Sequence, residues 1–186
     1  MTAPVPWGPL GAYLAVLALQ RVSELGLSAR NLARLARRGA VEHGAAHFPI
    51  FVALHVAFPV ALVAEVLAGA RPVPLWPMWL ALWLAAQLLR LAAIATLGER
   101  WNVRIVVLPG VPPVARGLYR WLPHPNYLAV ALEFVAAPMM FGAWLTAIGG
   151  SLLNLVAMAV RIPAEERALR MAAGQVPHAN EEPGAE

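Results

Sequence analysis

Three stretches of the chain, at about 8 to 27, 48 to 69 and 76 to 97, run apolar with almost no interruption. Each reaches the roughly 20 residues that an α-helix needs to cross a hydrocarbon core. A fourth apolar block, 126 to 161, is too long for one untilted span and has a natural break at Phe141-Gly142-Ala143. It reads as a helical hairpin, 126 to 141 and 143 to 161. The pattern predicts an all-α integral membrane bundle of about five transmembrane helices. The longest connection, 98 to 125, carries Pro109, Pro112, Pro113, Pro123 and Pro125 but is also rich in Trp, Tyr, Val and Ile. It is expected to be an ordered cap loop at the membrane surface, since long irregular loops in compact proteins are functional or disordered and this composition disfavours disorder. Pro163 fits the start of a new helical segment, so 164 to 173 predicts a short C-terminal amphipathic helix on the membrane surface. One domain is read over 1 to 174, followed by a polar, disordered tail at 175 to 186.

Composition agrees with that pattern: 60% of the residues are hydrophobic and 13% charged, too apolar for a single soluble domain of 186 residues. All 14 basic residues are arginine. Arg30, Arg34, Arg37 and Arg38 follow the first span, Arg100, Arg104, Arg116 and Arg120 follow the third, and Arg161, Arg167 and Arg170 follow the last. The opposite side has only Arg71. Positive loops stay in the cytoplasm, which predicts a multi-pass protein of the cell (inner) membrane with its N-terminus outside and its cap and C-terminus cytoplasmic. The same topology explains the pI near 10.6, so nucleic acid is not expected as a partner. The first apolar run ends in Arg21 and Glu24 without a small-residue cleavage site and reads as a retained helix. With no cysteine there is no disulfide, thiolate nucleophile or cysteine-bound zinc. No internal repeat is visible, which argues against inverted-repeat transporter folds.

The densest candidate chemistry is Gly117-Leu-Tyr119-Arg120-Trp121-Leu-Pro-His124-Pro125-Asn126-Tyr127, leading into the fourth helix. A histidine between two prolines is expected in extended backbone, and the helix start at Pro125-Asn126 offers free N–H groups and a positive dipole end to an anion. The plainer reading is a helix start with Tyr119, Trp121 and Tyr127 as interfacial anchors. A second feature, Arg161-Ile-Pro163-Ala-Glu165-Glu166, sets adjacent carboxylates suited to ribose hydroxyls or a sulfonium. Its plainer reading is acidic punctuation of a helix start, with Arg161 pairing Glu165. Inside the spans, Arg90 lies about 10 Å from the end of the third helix, and Glu133 is comparably deep in the fourth. Charges at such depth mark partners or pathways. An Arg90–Glu133 ion pair and a substrate-facing role for Glu133 both fit. Arg21 and Glu24, three apart, suit a structural pair. Trp101, Asn102 and Arg104 follow the third helix directly and are candidates to orient an acceptor headgroup, although interfacial anchoring is the commoner role for a tryptophan placed like Trp101. His43, His47 and His55 form no metal-ligand pattern, and no metal is expected.

His124-Pro125-Asn126-Tyr127, followed by two apolar spans and Glu165-Glu166, resembles the split His-Pro-x-Tyr plus Glu-Glu pattern of isoprenylcysteine carboxyl methyltransferases and related phospholipid methyltransferases. The resemblance covers roughly 85 to 172. Arg21-x-x-Glu24 and Ser28-x-Arg30-Asn31 resemble the small bacterial branch of that family, some members of which are associated with type III polyketide synthases and methylate long-chain phenolic lipids. The chain departs from the family pattern at Pro123, where arginine is usual, and at Ala129, where glycine is common. The resemblance implies S-adenosylmethionine held between the cap, the start of helix four and the end of helix five. His124 and Tyr127, with Tyr119 and Asn126 beside them, would line its pocket, and Glu165 and Glu166 would contact its ribose or methionine portion. The expected activity is O-methylation of a lipid-like acceptor: a phenolic or polyketide lipid, or else a prenylated or other lipid carboxylate. A phenol, with its pKa near 10, needs a base or a nearby cation such as Arg104 or Arg161; a carboxylate needs neither. The rivals are a nicotinamide-dependent membrane reductase of the sterol-reductase type, which shares a similar His-Pro-x-Tyr segment, and a non-catalytic lipid-binding scaffold.

Overall fold

The computed structural model describes residues 5–174. Five helices follow one another: α1 (Trp7–Ala36), α2 (Phe48–Leu67), α3 (Trp76–Leu97), α4 (Pro125–Met140) and α5 (Trp144–Gly174). Two three-residue strands, β1 (Val41–His43) and β2 (Ile105–Val107), pair antiparallel with Val41 opposite Val107. Four segments are long and apolar enough to cross a membrane, namely Trp7–Ala36, Ala45–Leu67, Trp76–Arg100 and Trp144–Gly174. Leu19, Val22, Val56, Val60, Leu88, Leu91, Leu152 and Leu155 are all exposed along these helices, as side chains facing lipid would be. The chain is a multi-pass membrane protein.

The fourth helix alone among the five is shorter than an untilted span, although it runs from the cap at His124 to the turn at Gly142 on the opposite end of the bundle. α4 has 16 residues, about 24 Å at 1.5 Å per residue, short of a hydrocarbon core of roughly 30 Å. It forms the centre of the bundle rather than part of its lipid face. Ala129, Ala136 and Ala137 are fully buried, and side chains this small let α3 and α5 approach closely on either side. α5 corrects the expectation of a separate surface helix. No separate surface helix begins at Pro163, because α5 continues through it for 31 residues, about 46 Å. A proline inside a helix removes one backbone bond. Packing offsets the loss: Ala168 and Ala172 are buried against Ile105 and Val107 of β2, and the Gly110 N–H bonds the Ala172 carbonyl at 3.0 Å. The last turns of α5 thus project past the membrane core and hold the cap. The tail expected to be disordered, 175 to 186, lies outside the described residues.

The end of the bundle opposite the cap is closed by two devices. Glu65, near the end of α2, accepts bonds from the N–H groups of Leu145 (3.0 Å) and Thr146 (2.7 Å) and from the Thr146 hydroxyl (2.7 Å). A carboxylate there answers the positive end of the α5 dipole. The α4–α5 turn passes through Gly142 at φ +68°, where an added Cβ would lie 2.1 Å from the Arg71 carbonyl oxygen. Gly142→Ala is therefore expected to destabilise the fold by about 2 kcal/mol or more, through both backbone strain and collision. Thermal unfolding of the detergent-solubilised variant measures it, and an unchanged midpoint would contradict this account of the turn.

Candidate functional site

Most of the buried residues of α1 recur every three or four positions: Leu10, Tyr13, Leu17, Glu24, Ser28, Asn31 and Leu35. The stripe is apolar in its first half and polar in its second, and the polar half ties α1 to the start of the cap. Asn31 Nδ2 donates to the Trp101 carbonyl at 2.8 Å and to the Gly98 carbonyl at 3.2 Å. The Ser28 hydroxyl donates to Asn102 Oδ1 at 2.9 Å, and Asn102 Nδ2 returns a bond to the Ser28 carbonyl at 3.1 Å. These bonds fix the backbone of 98–104 as it leaves the membrane. Asn102 Oδ1 also accepts the Arg104 N–H at 2.9 Å, so its amide is largely committed to holding the chain.

Three cavities adjoin this region. The largest, about 390 Å³, lies under the cap and is walled by β2, the proline-rich stretch after it, Tyr119, Pro123, His124, Glu165 and Glu166. A second, about 250 Å³, lies at membrane depth between α1, α2, α4 and α5; Phe48, Phe51, Val52, Val56, Val130 and Met158 give it a largely apolar wall. Leu25 of α1 and Val52 and Val56 of α2 rim the cavity and are exposed. A third, about 50 Å³, shares walls with both, including Asn102, Arg104, Tyr119, His124 and Glu165 with the first and Trp101, Asn126, Tyr127 and Arg161 with the second. It is a narrow junction between a polar chamber and an apolar one.

The junction holds a chain of hydrogen bonds. Arg161 Nε donates to the Tyr127 hydroxyl at 2.9 Å, and that hydroxyl donates to Glu165 Oε2. Arg161 also donates through Nη2 to the Val103 carbonyl at 2.6 Å, and its guanidinium lies 4.9 Å over the Phe51 ring. Nη1 has no protein partner among the described residues, and neither has Glu165 Oε1. His124 stacks on Tyr127 with centroids 5.3 Å apart and donates from Nε2 to Glu166 at 3.2 Å. Arg170, one turn on, lies 3.5 Å from the other Glu166 oxygen. Burial and the Glu165 charge both push the Tyr119 hydroxyl up, which keeps it a neutral donor beside the cap cavity. Buried Asn126 Oδ1 has no protein partner.

Most residues singled out around the cap thus come together, namely Tyr119, His124, Asn126, Tyr127, Glu165, Glu166, Arg104, Arg161, Trp101 and Asn102, whereas Arg120 and Trp121 wall none of the three cavities. Two details differ from the sequence expectation. The α4 N-terminus is a poorer anion seat, since Pro125 has no N–H and those of Tyr127 and Leu128 already bond the His124 carbonyl at 3.1 and 3.2 Å. Arg161 pairs with Glu165 only through Tyr127. Arg104 extends to Glu42 at 2.8 Å and lies 4.7 Å over Phe48, a partner 62 positions away that no local pattern discloses.

Glu133 lies apart from this group. It is 1% exposed, walls none of the three cavities, and is gripped by Arg90 and, at 2.8 Å, by Arg21. Arg21 and Arg90 also reach Glu24, at 2.8 and 3.4 Å. Of the two readings of Glu133, its surroundings show the ion pair. Arg90 joins the wall of the membrane-depth cavity. Sequence reasoning passed over His55, Phe51 and Phe48, which line the same cavity. Among the described residues no group of three or more His, Asp or Glu is arranged to hold a metal.

The comparisons with known proteins bear on these same residues. The chain is 37% identical over 158 residues to the uncharacterised protein YpbQ of Bacillus subtilis, covering 84% of this chain and 94% of that one. It is 29% identical over 161 residues to an uncharacterised protein of Haemophilus influenzae, covering 84% and 92%. No solved structure matches it. Residues 79–171, from α3 through the cap and the α4–α5 hairpin, match the isoprenylcysteine carboxyl methyltransferase family, and they contain His124, Tyr127, Arg161, Glu165 and Glu166. The walls of the junction come largely from the matched segment, and the chain belongs to the isoprenylcysteine carboxyl methyltransferase family.

Proposed function

We propose that the protein transfers a methyl group from S-adenosylmethionine to an oxygen of a lipophilic acceptor, with the donor under the cap and the acceptor in the membrane-depth cavity. The observation that carries this reading is the meeting of two chambers of opposite character at a narrow junction. Enzymes of this family use S-adenosylmethionine. The cap cavity suits it: 390 Å³ falls within the ~300–1,000 Å³ of small-molecule sites, and the wall offers carboxylates, a neutral phenol and an imidazole. Glu165 Oε1, open to a partner, fits a ribose hydroxyl or a sulfonium; Glu166 and His124 fix one another at its side. When bound, S-adenosylmethionine supplies an electrophilic methyl group on a sulfonium.

The chain's own residues then have three tasks. Its walls align the reactants, which is the main requirement of a displacement at carbon. Phe51, Val130 and Met158 keep water from the acceptor side. Arg161, with Nη1 uncommitted, stabilises a phenolate or receives a carboxylate; Arg104 lines the same junction with its charge balanced by Glu42. Exposed Leu25, Val52 and Val56 on the cavity rim let an acyl or prenyl tail remain in the bilayer while the head reaches the junction. The cap is assigned to the cytoplasm, where the arginine-rich loops lie and the water-soluble donor is made.

Calorimetric titration of detergent-purified protein with S-adenosylhomocysteine tests the donor site, and methyl transfer from labelled donor to 4-dodecylphenol or a farnesylated cysteine derivative tests the acceptor. Saturable binding with methylation of either acceptor is expected. Well-folded protein that binds no S-adenosylhomocysteine would overturn the reading.

A further inference from the structure

The membrane-depth cavity is polar at two ends, and the methyl-transfer reading uses only one of them. Asn126, Tyr127 and Arg161 stand at the junction end; His55, Arg21, Glu24 and Arg90 stand at the deep end. We infer that His55 forms a second binding subsite there, accepting a hydrogen bond from a neutral hydroxyl that the acceptor carries about one helical turn from its methylated oxygen.

The charges at this end are paired with one another, with Arg90 Nε and Glu133 Oε1 left buried and without a hydrogen-bond partner among the described residues. Glu24 accepts from Gln20 at 2.9 Å, Arg21 at 2.8 Å and Arg90 at 3.4 Å, while Arg21 and Arg90 both also bond Glu133. Two arginines face two glutamates, so the cluster is formally neutral. An additional ion brought to this depth would lack a counter-charge and bear its full desolvation cost, whereas a neutral polar group would not.

His55 is the side chain in the deep wall left with a lone pair to offer. Its Nδ1 is 2.8 Å from the Phe51 carbonyl, which can only accept, so that nitrogen carries the proton and Nε2 of the neutral ring is an acceptor. Nε2 has no protein partner among the described residues. Edge-on contact with Phe134, at 5.6 Å between centroids, fixes the ring. An imidazole acceptor held in one orientation within an apolar span is costly unless something meets it. The depth follows from α2 itself: Phe51 lies under the Arg161 guanidinium, and His55 is one turn further in, about 5.4 Å along the helix. An acceptor oxygen at Arg161 and a hydroxyl on the far side of an aromatic ring span that interval.

This inference rests on the proposed acceptor role of the cavity, and the experiment separates the two. Steady-state methylation of 4-dodecylphenol is compared with that of 4-(1-hydroxydodecyl)phenol, which adds one hydroxyl across the ring. Binding of each probe without methyl donor is followed in nanodiscs by the change in intrinsic tryptophan fluorescence, to which Trp101 in the cavity wall contributes. The kcat/KM ratio should favour the hydroxylated probe about tenfold, the worth of one neutral hydrogen bond whose absence leaves an acceptor unmet. In His55→Phe, which keeps a ring against Phe134, the ratio should fall to about one; in His55→Gln, which keeps an acceptor, part of it should survive. A general folding defect lowers both probes together and leaves the ratio alone. Equal ratios in wild type and His55→Phe, or no preference in wild type, overturn the subsite. If neither probe is methylated, the methyl-transfer reading fails for phenols, and the fluorescence affinities still decide the subsite by the same ratio.

Discussion

Glu165→Ala is expected to weaken S-adenosylhomocysteine binding by roughly ten- to hundredfold, as removal of a charged hydrogen-bonding group worth ~1.5–3 kcal/mol would. Glu165 stands on the wall shared by the cap cavity and the junction, projected there by the stretch of α5 that runs on past Pro163. Its Oε2 is held by the Tyr127 hydroxyl, which presents Oε1 to the cavity in a fixed position. Two controls separate its roles. Tyr127→Phe keeps the carboxylate and the stacking on His124 but frees Glu165 and releases Arg161 Nε, so it should impair turnover more than donor binding. Comparing the charged donor with its neutral product separates sulfonium from ribose recognition: a carboxylate reading the sulfonium loses more affinity for S-adenosylmethionine than for S-adenosylhomocysteine on Glu165→Ala, and one reading ribose loses equally for both. Unchanged affinity for both ligands in a folded variant would remove Glu165 from the site.

The parts of this arrangement visible in the sequence are those encoded by local pattern. Apolar runs place the long helices, and the His124-to-Tyr127 and Glu165-Glu166 segments are recognisable because each is contiguous. What escapes is set by tertiary packing. The length of α4 is legible from the break at Phe141-Gly142-Ala143, but its central place is not, because a central helix and a lipid-facing one are equally apolar; only its fully buried alanines distinguish it. Pro163 reads as a helix start because its local effect is to break one, and burial of Ala168 and Ala172 on β2 overrides that effect. Val41–His43 and Ile105–Val107 are too short for alternation to register. Arg21 and Glu24 suggest a local pair, but their other partners, Glu133 and Arg90, lie 112 and 66 positions away. His55 was open to the rule that flagged Arg90 and Glu133, since it too is ionisable inside a span.

The second large effect concerns that buried cluster. Glu133→Ala is expected to destabilise the protein by about 3–5 kcal/mol, the usual cost of removing one partner from a buried ion pair. The magnitude follows from what remains: Arg90, 3% exposed, and Arg21 would share the single charge of Glu24, leaving one net positive charge among α1, α3 and α4 at membrane depth. Glu133→Gln should cost nearly as much, because it keeps the shape and an acceptor while losing the charge. Removing Arg90 together with Glu133, as Arg90→Met with Glu133→Leu, should restore most of the stability, since the surviving Arg21–Glu24 pair is neutral and the apolar replacements carry no desolvation cost. Thermal unfolding in nanodiscs of the two single variants and the double variant measures the coupling. Additive losses would mean that the four residues act as separate contacts. Recovery in the double variant would mean that neutrality, more than the attraction between any two of them, is what the bundle requires at this depth, the same condition that leaves His55 facing the cavity as an uncharged acceptor.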